Sequence, residues 1–196
     1  MSKKIEATPG FFLMLALLLY LDGGLIFWAA VSAALLHELA HYAAARAFGA
    51  SLRRLRLTAA GAEMALARHT PLPYPAELTI AAAGPLTNLL LALVLANLPA
   101  LSNRFLLAGV HLSLGVFNLL PVAPLDGGQI FRTLISALWS PTQGQTITTA
   151  LSLTLSAALA LLGILTLLRG SNPSLLVTAL WLLARNFPQK NRPRFQ

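Results

Sequence analysis

Between Phe11 and Ala184 the sequence alternates long apolar runs with short polar breaks, and nothing else constrains its fold as strongly. The runs are Phe11–Leu21, Leu25–Phe48, Ala76–Leu98, Arg104–Leu120, Thr146–Leu168 and Ser174–Ala184. A helix that crosses a bilayer needs about 20 apolar residues. Charged residues make up 10% of the chain and hydrophobic ones 57%. A soluble domain carries about 25% charge to solvate its surface. Most of this chain must therefore face lipid or other apolar helices. Disorder is excluded by the hydrophobicity. With no cysteine, a disulfide scaffold, thiolate catalysis and Cys-ligated metal are excluded as well.

The expectation is an all-α polytopic membrane protein of about six spans, forming a single domain over 1–196. Its core would cover about 10–140 and its C-terminal helices about 146–186. The first and last runs are short, so polar flanks must contribute to those spans. Joining residues 10–34 into one span is the alternative, but a turn at Asp22-Gly23-Gly24 gives better charge agreement. With six spans, Lys3, Lys4, Arg46, Arg53, Arg54, Arg56, Arg68, Arg132, Arg185, Lys190, Arg192 and Arg194 share one side. Arg104 and Arg169 fall on the other. Positive residues gather in cytoplasmic loops, so both termini are expected in the cytoplasm of a multi-pass cell-membrane protein. The net charge of +8 then calls for no nucleic acid partner. The N-terminus lacks a small-residue cleavage site after its first apolar run, so it does not read as a signal peptide.

Residues 51–66 interrupt the apolar pattern. Leu52-Arg53 and Leu55-Arg56-Leu57 partly alternate, and Gly61 can turn the chain. A small membrane-associated β-hairpin after the second span is one reading. An irregular cytoplasmic loop is the other.

The chemistry sits at His37-Glu38-Leu39-Ala40-His41, an H-E-x-x-H motif. On a helix, positions i and i+4 share a face, so both imidazoles can bind one metal with Glu38 beside it as general base. With four His and four Glu in 196 residues, chance predicts roughly 0.002 such motifs per chain. His37 lies about 18 Å along the helix from Leu25 at 1.5 Å per residue, below the surface of a core about 30 Å thick. Ionisable groups at that depth are costly and mark functional sites. A polar contact between helices is the structural alternative.

A catalytic zinc site uses three protein ligands and one open position. Asp126, Glu63, Glu77, His69, His111 and Asp22 are the candidates for the third. Glu77 is better explained by the dipole of the helix it opens. Asp22 falls in a turn on the far side, and Glu63 and His69 lie in the loop region. His111 is mid-span, as a ligand or as a hydrogen bonder between helices. Asp126 leads, because Pro121 and Pro124 open the helix before it and Gly127-Gly128 permit close approach after it. Unwound backbone at membrane depth survives where it lines protein or a wet cavity.

His37–His41, Gly84-Pro85-Leu86-Thr87-Asn88 and Asn118-Leu119-Leu120-Pro121 through Leu125-Asp126-Gly127-Gly128 resemble the site-2 protease family of intramembrane zinc metalloproteases. The pattern is most similar to the compact six-span subgroup that includes the sporulation pro-sigma-factor processing protease. The resemblance covers roughly residues 10–140, and no PDZ or CBS domain is expected within the chain. It implies that His37, His41 and Asp126 bind Zn2+ and that Glu38 activates water. It also implies that Asn118 and Pro121 lie in a loop contacting substrate backbone, and that residues 51–66 form a hairpin able to pair with an unwound substrate strand. Gly84, Pro85 and Asn88 match a packing motif, and His111 has no counterpart.

The expected function is that of a metalloendopeptidase cleaving a transmembrane or membrane-associated protein. Its partners are the bilayer, that substrate and a second membrane protein regulating access. A catalytically inactive scaffold, or a metal transporter using the same polar cluster, are the alternatives. The absence of an internal repeat counts against the transporter.

Overall fold

A computed structural model of the chain describes residues 4–22, 24–58, 61–67, 72–170 and 172–186. It divides into two compact units, Met1–Asn118 and Leu119–Gln196.

The first unit contains β1 (Lys4–Ala7), α1 (Pro9–Asp22), α2 (Leu25–Ala47), β2 (Ser51–Thr58), β3 (Gly61–Ala67), α3 (Tyr74–Ala96) and α4 (Arg104–Asn118). α1 ends at Asp22 and α2 starts at Leu25, so the chain breaks between two helices where the sequence predicts a turn. Gly24 opens α2 at φ 131°, a conformation that a side chain disfavours. β2 and β3 pair antiparallel, with Thr58 opposite Gly61 and Ser51 opposite Ala67, so the 51–66 segment is a hairpin. A third strand joins it that the sequence did not announce. β1 lies parallel to β2, with Ile5 opposite Leu55 and Ala7 opposite Leu57. Four residues are too few to display a period, and parallel pairing with a distant strand leaves no turn signal.

α2, α3 and α4 pack on one another through small residues, among them Ala33, Ala45, Ala81 and Ala92. Small side chains let helix backbones approach closely. Pro75 and Glu77 stand in the first turn of α3, as proline's fixed φ and the helix dipole favour. Pro85 is buried inside α3 and supplies no N–H to the helix ladder.

The second unit contains α5 (Asp126–Leu138), α6 (Pro141–Leu168) and α7 (Ser174–Asn186). α5 was not expected. Its Asp-Gly-Gly-Gln start and Arg132-Thr133 break the apolar run that signals a span. α6 begins five residues before the expected Thr146, because Ser140 Oγ accepts from Gln143 N–H at 3.2 Å and caps it. Pro141 follows at the first helical position.

Among the described residues, three helices are long and apolar enough to cross a membrane: α2 and α3 with 23 residues each and α6 with 28. At 1.5 Å per residue they run about 34 to 42 Å, against about 30 Å of hydrocarbon. α4 and α7 are apolar but have 15 and 13 residues. The expected six spans are therefore not all met by single helices of sufficient length.

Candidate metal centre

In the first unit, His37 and His41 stand one turn apart on α2, 5% and 8% exposed. Their Nε2 atoms are 3.0 Å apart. Two nitrogens bound to one tetrahedral zinc at 2.0–2.1 Å would be separated by about 3.3 Å, so the pair has the bite that a single ion requires. The other ring nitrogens are held from outside. His41 Nδ1 donates to the Ile80 carbonyl at 2.7 Å. His37 Nδ1 lies 3.1 Å from the side-chain amide of Asn88, and the far side of that amide lies 3.1 Å from His111 Nδ1. Metal-binding imidazoles are commonly oriented by such partners.

Gly84 explains why α3 can lie so close. A Cβ there would run into Nε2 of His41 and would stand 2.7 Å from Nε2 of His37. The missing side chain leaves room on the side to which both lone pairs can turn. Glu38 follows His37 on α2 and is half-buried.

In the second unit, Asp126 opens α5 and is half-buried. The loop before it, residues 119–125, includes a cis Ala123–Pro124 bond. Two helices pin this loop. Ala123 N–H donates to the buried Ser152 Oγ of α6 at 2.8 Å, and Asn186 Nδ2 of α7 donates to the Ala123 carbonyl. The loop lies directly on the first turn of α5. A Cβ on Gly127 would strike the Leu119 carbonyl, and one on Gly128 would meet Val122 and Ala123 backbone at 2.6 Å. The Gly-Gly pair is thus what lets Asp126 begin a helix immediately after the loop.

His37 and His41 offer imidazole nitrogens and Asp126 a carboxylate oxygen, each a donor type that Zn2+ takes. Of the other residues singled out, Asn118 ends α4 and its Nδ2 donates to the Leu114 carbonyl at 3.0 Å. Pro121 lies in the pinned loop, Glu77 in the first turn of α3, and Asp22 at the end of α1. Glu63 falls on β3, and His69 lies outside the described residues. Of the two readings of His111, a ligand or a hydrogen bonder between helices, the structure shows the second, with its Nδ1 3.1 Å from the Asn88 amide. The role of Asn88 beside His37 was missed. The signal available was an amide side chain in the middle of an apolar run, where burial demands a polar partner.

The profile of a family described as Peptidase family M50 matches residues 96–163, a stretch that holds Asn118, Pro121 and Asp126. The chain is similar to a zinc metalloprotease of Methanocaldococcus jannaschii, 29% identical over 182 residues, covering 85% of this chain and 53% of that protein. It is also similar to stage IV sporulation protein FB of Bacillus subtilis, 34% identical over 107 residues, 52% of this chain and 37% of that protein. The chain thus spans about half the length of the first relative and less of the second. Among solved structures, a site-2 protease from Methanocaldococcus jannaschii matches with a TM-score of 0.71 at 25% identity, over 95% of this chain and 90% of that one.

Proposed function

We propose that this chain, which carries a Peptidase family M50 match over residues 96–163 and is similar to site-2 proteases, is an intramembrane zinc metalloendopeptidase acting on a transmembrane or membrane-associated protein. The observation that carries this reading is the buried His37–His41 pair, with Nε2 atoms 3.0 Å apart and a glycine on α3 leaving the space beside them clear. Asp126 supplies the third ligand, and the loop pinned by Ser152 and Asn186 holds it in place. When bound, zinc supplies Lewis acidity that acidifies water and polarises the scissile carbonyl. Glu38 takes the proton from the attacking water and delivers it to the leaving amine nitrogen.

A helical substrate hides its carbonyls in i−4 hydrogen bonds and must unwind before attack. β3 pairs on one side with β2 among the described residues, so its outer edge offers a ladder for an extended substrate strand. Asn118 and Pro121 contact substrate backbone. Both termini lie in the cytoplasm, and a second membrane protein controls access.

The test is cleavage in liposomes of a single-span reporter whose helix carries helix-weakening residues. Wild-type protein with zinc is expected to cut it, and Glu38→Gln to bind zinc but leave it intact. Substantial cleavage by Glu38→Gln would remove Glu38 from the role of base. A wild type that binds zinc yet cuts no reporter would favour an inactive scaffold.

A further inference from the structure

We propose that Asn88 is a positioning residue for the metal centre: in the zinc-loaded protein its amide turns Oδ1 toward His37 and Nδ2 toward His111. This rests on the reading that His37 and His41 bind zinc.

The argument starts at Ile80. Its carbonyl can only accept, so His41 Nδ1, 2.7 Å away, carries the proton. A neutral imidazole has one N–H and one lone pair, which places the lone pair of His41 on Nε2. His37 has two options, and Asn88 decides between them. With Nδ2 of Asn88 toward His37, at 3.1 Å, His37 Nδ1 accepts. The His37 proton then sits on Nε2 and donates across 3.0 Å to His41. Hydrogen bonds run in one direction from His111 through Asn88, His37 and His41 to Ile80. Each link of that chain pairs one N–H with one acceptor, and His37 has no lone pair at Nε2 for a metal.

Turning the amide by 180° reverses the first half of this chain. Oδ1 then accepts from His37 Nδ1–H, and both Nε2 atoms carry a lone pair. Nδ2 donates to His111 Nδ1, whose proton moves to Nε2. Amide oxygen and nitrogen are nearly the same size, so both polarities fit the same heavy-atom positions. A cation binds lone pairs and excludes protons from them, so it selects the second polarity.

Asn88 is 0% exposed, and its amide reaches from α3 to histidines on both α2 and α4. An apolar side chain here would strip both histidines of a buried partner. Aspartate would keep an acceptor for His37, while asparagine alone of these serves either polarity.

The measurement uses the full-length protein with 15N-labelled histidine in detergent micelles, loaded with zinc alone. Long-range 1H–15N correlations report which ring nitrogen holds each proton. We expect the His37 proton on Nδ1 and the His111 proton on Nε2. In competition with a chelator, Asn88→Leu should bind zinc about 10–100-fold more weakly, the usual effect of removing a ligand's orienting partner. Asn88→Asp should recover most of that loss. A His111 proton on Nδ1 in zinc-loaded wild type, or wild-type zinc affinity in Asn88→Leu, would overturn the proposal while leaving the metalloprotease reading intact. Should Asn88→Leu fail to fold, the wild-type proton positions still decide. A wild type that takes up no zinc would overturn both.

Discussion

At the scale of single residues, the centre depends as much on what is missing as on what is present. Gly84 has no side chain where α3 passes the two Nε2 atoms. Gly84→Ala should therefore displace both imidazoles or push α3 away. We expect zinc affinity to fall about 10–100-fold, as for the loss of an orienting partner, with the helical circular dichroism retained. Unchanged affinity would mean that the lone pairs turn away from Gly84. The motif residues His37, Glu38 and His41 were legible because their spacing matches the helical turn. Asn88 was not, because one amide in an apolar run looks the same whether it packs or orients a ligand. His111 stayed ambiguous for the same reason until its Nδ1 was found 3.1 Å from the Asn88 amide.

At the scale of elements, the second unit is organised around the loop that delivers Asp126. Ser152 sits on the buried face of α6 and accepts the Ala123 N–H. Ser152→Ala would remove the partner of that part-buried donor, at a cost of about 1 kcal/mol, read as a lower unfolding midpoint in detergent. An unchanged midpoint would show that the loop does not depend on α6. Asp126→Ala should lose both zinc and cleavage, and unchanged zinc affinity would point to another third ligand. The long helices were legible from their apolar runs, and α2 begins at Leu25 as the Asp22-Gly23-Gly24 turn predicts. α5 was hidden because two glycines and several polar residues interrupt its pattern. β1 was hidden because a four-residue strand has no readable period, whereas the antiparallel hairpin carries local alternation and a nearby turn.

At the scale of the whole molecule, charge and hydropathy place the chain in a membrane before any site is considered. Twelve of its 14 Lys and Arg residues fall on one side of the expected topology, and on the proposed reading that side is the cytoplasm, with both termini in it. The chain has no cysteine, so single introduced thiols report cleanly. Ser2→Cys and Gln189→Cys should both react with an impermeant reagent in inside-out vesicles and stay protected in right-side-out ones. Labelling of one terminus from outside would contradict an even number of spans. Function at this scale reduces to whether the buried polar cluster holds a metal. The most direct measurement is zinc per chain in detergent-purified protein, with His41→Ala beside it. About one zinc per wild-type chain, lost in the variant, is the expected result. Well-folded wild type that takes up no zinc when zinc is supplied would contradict it.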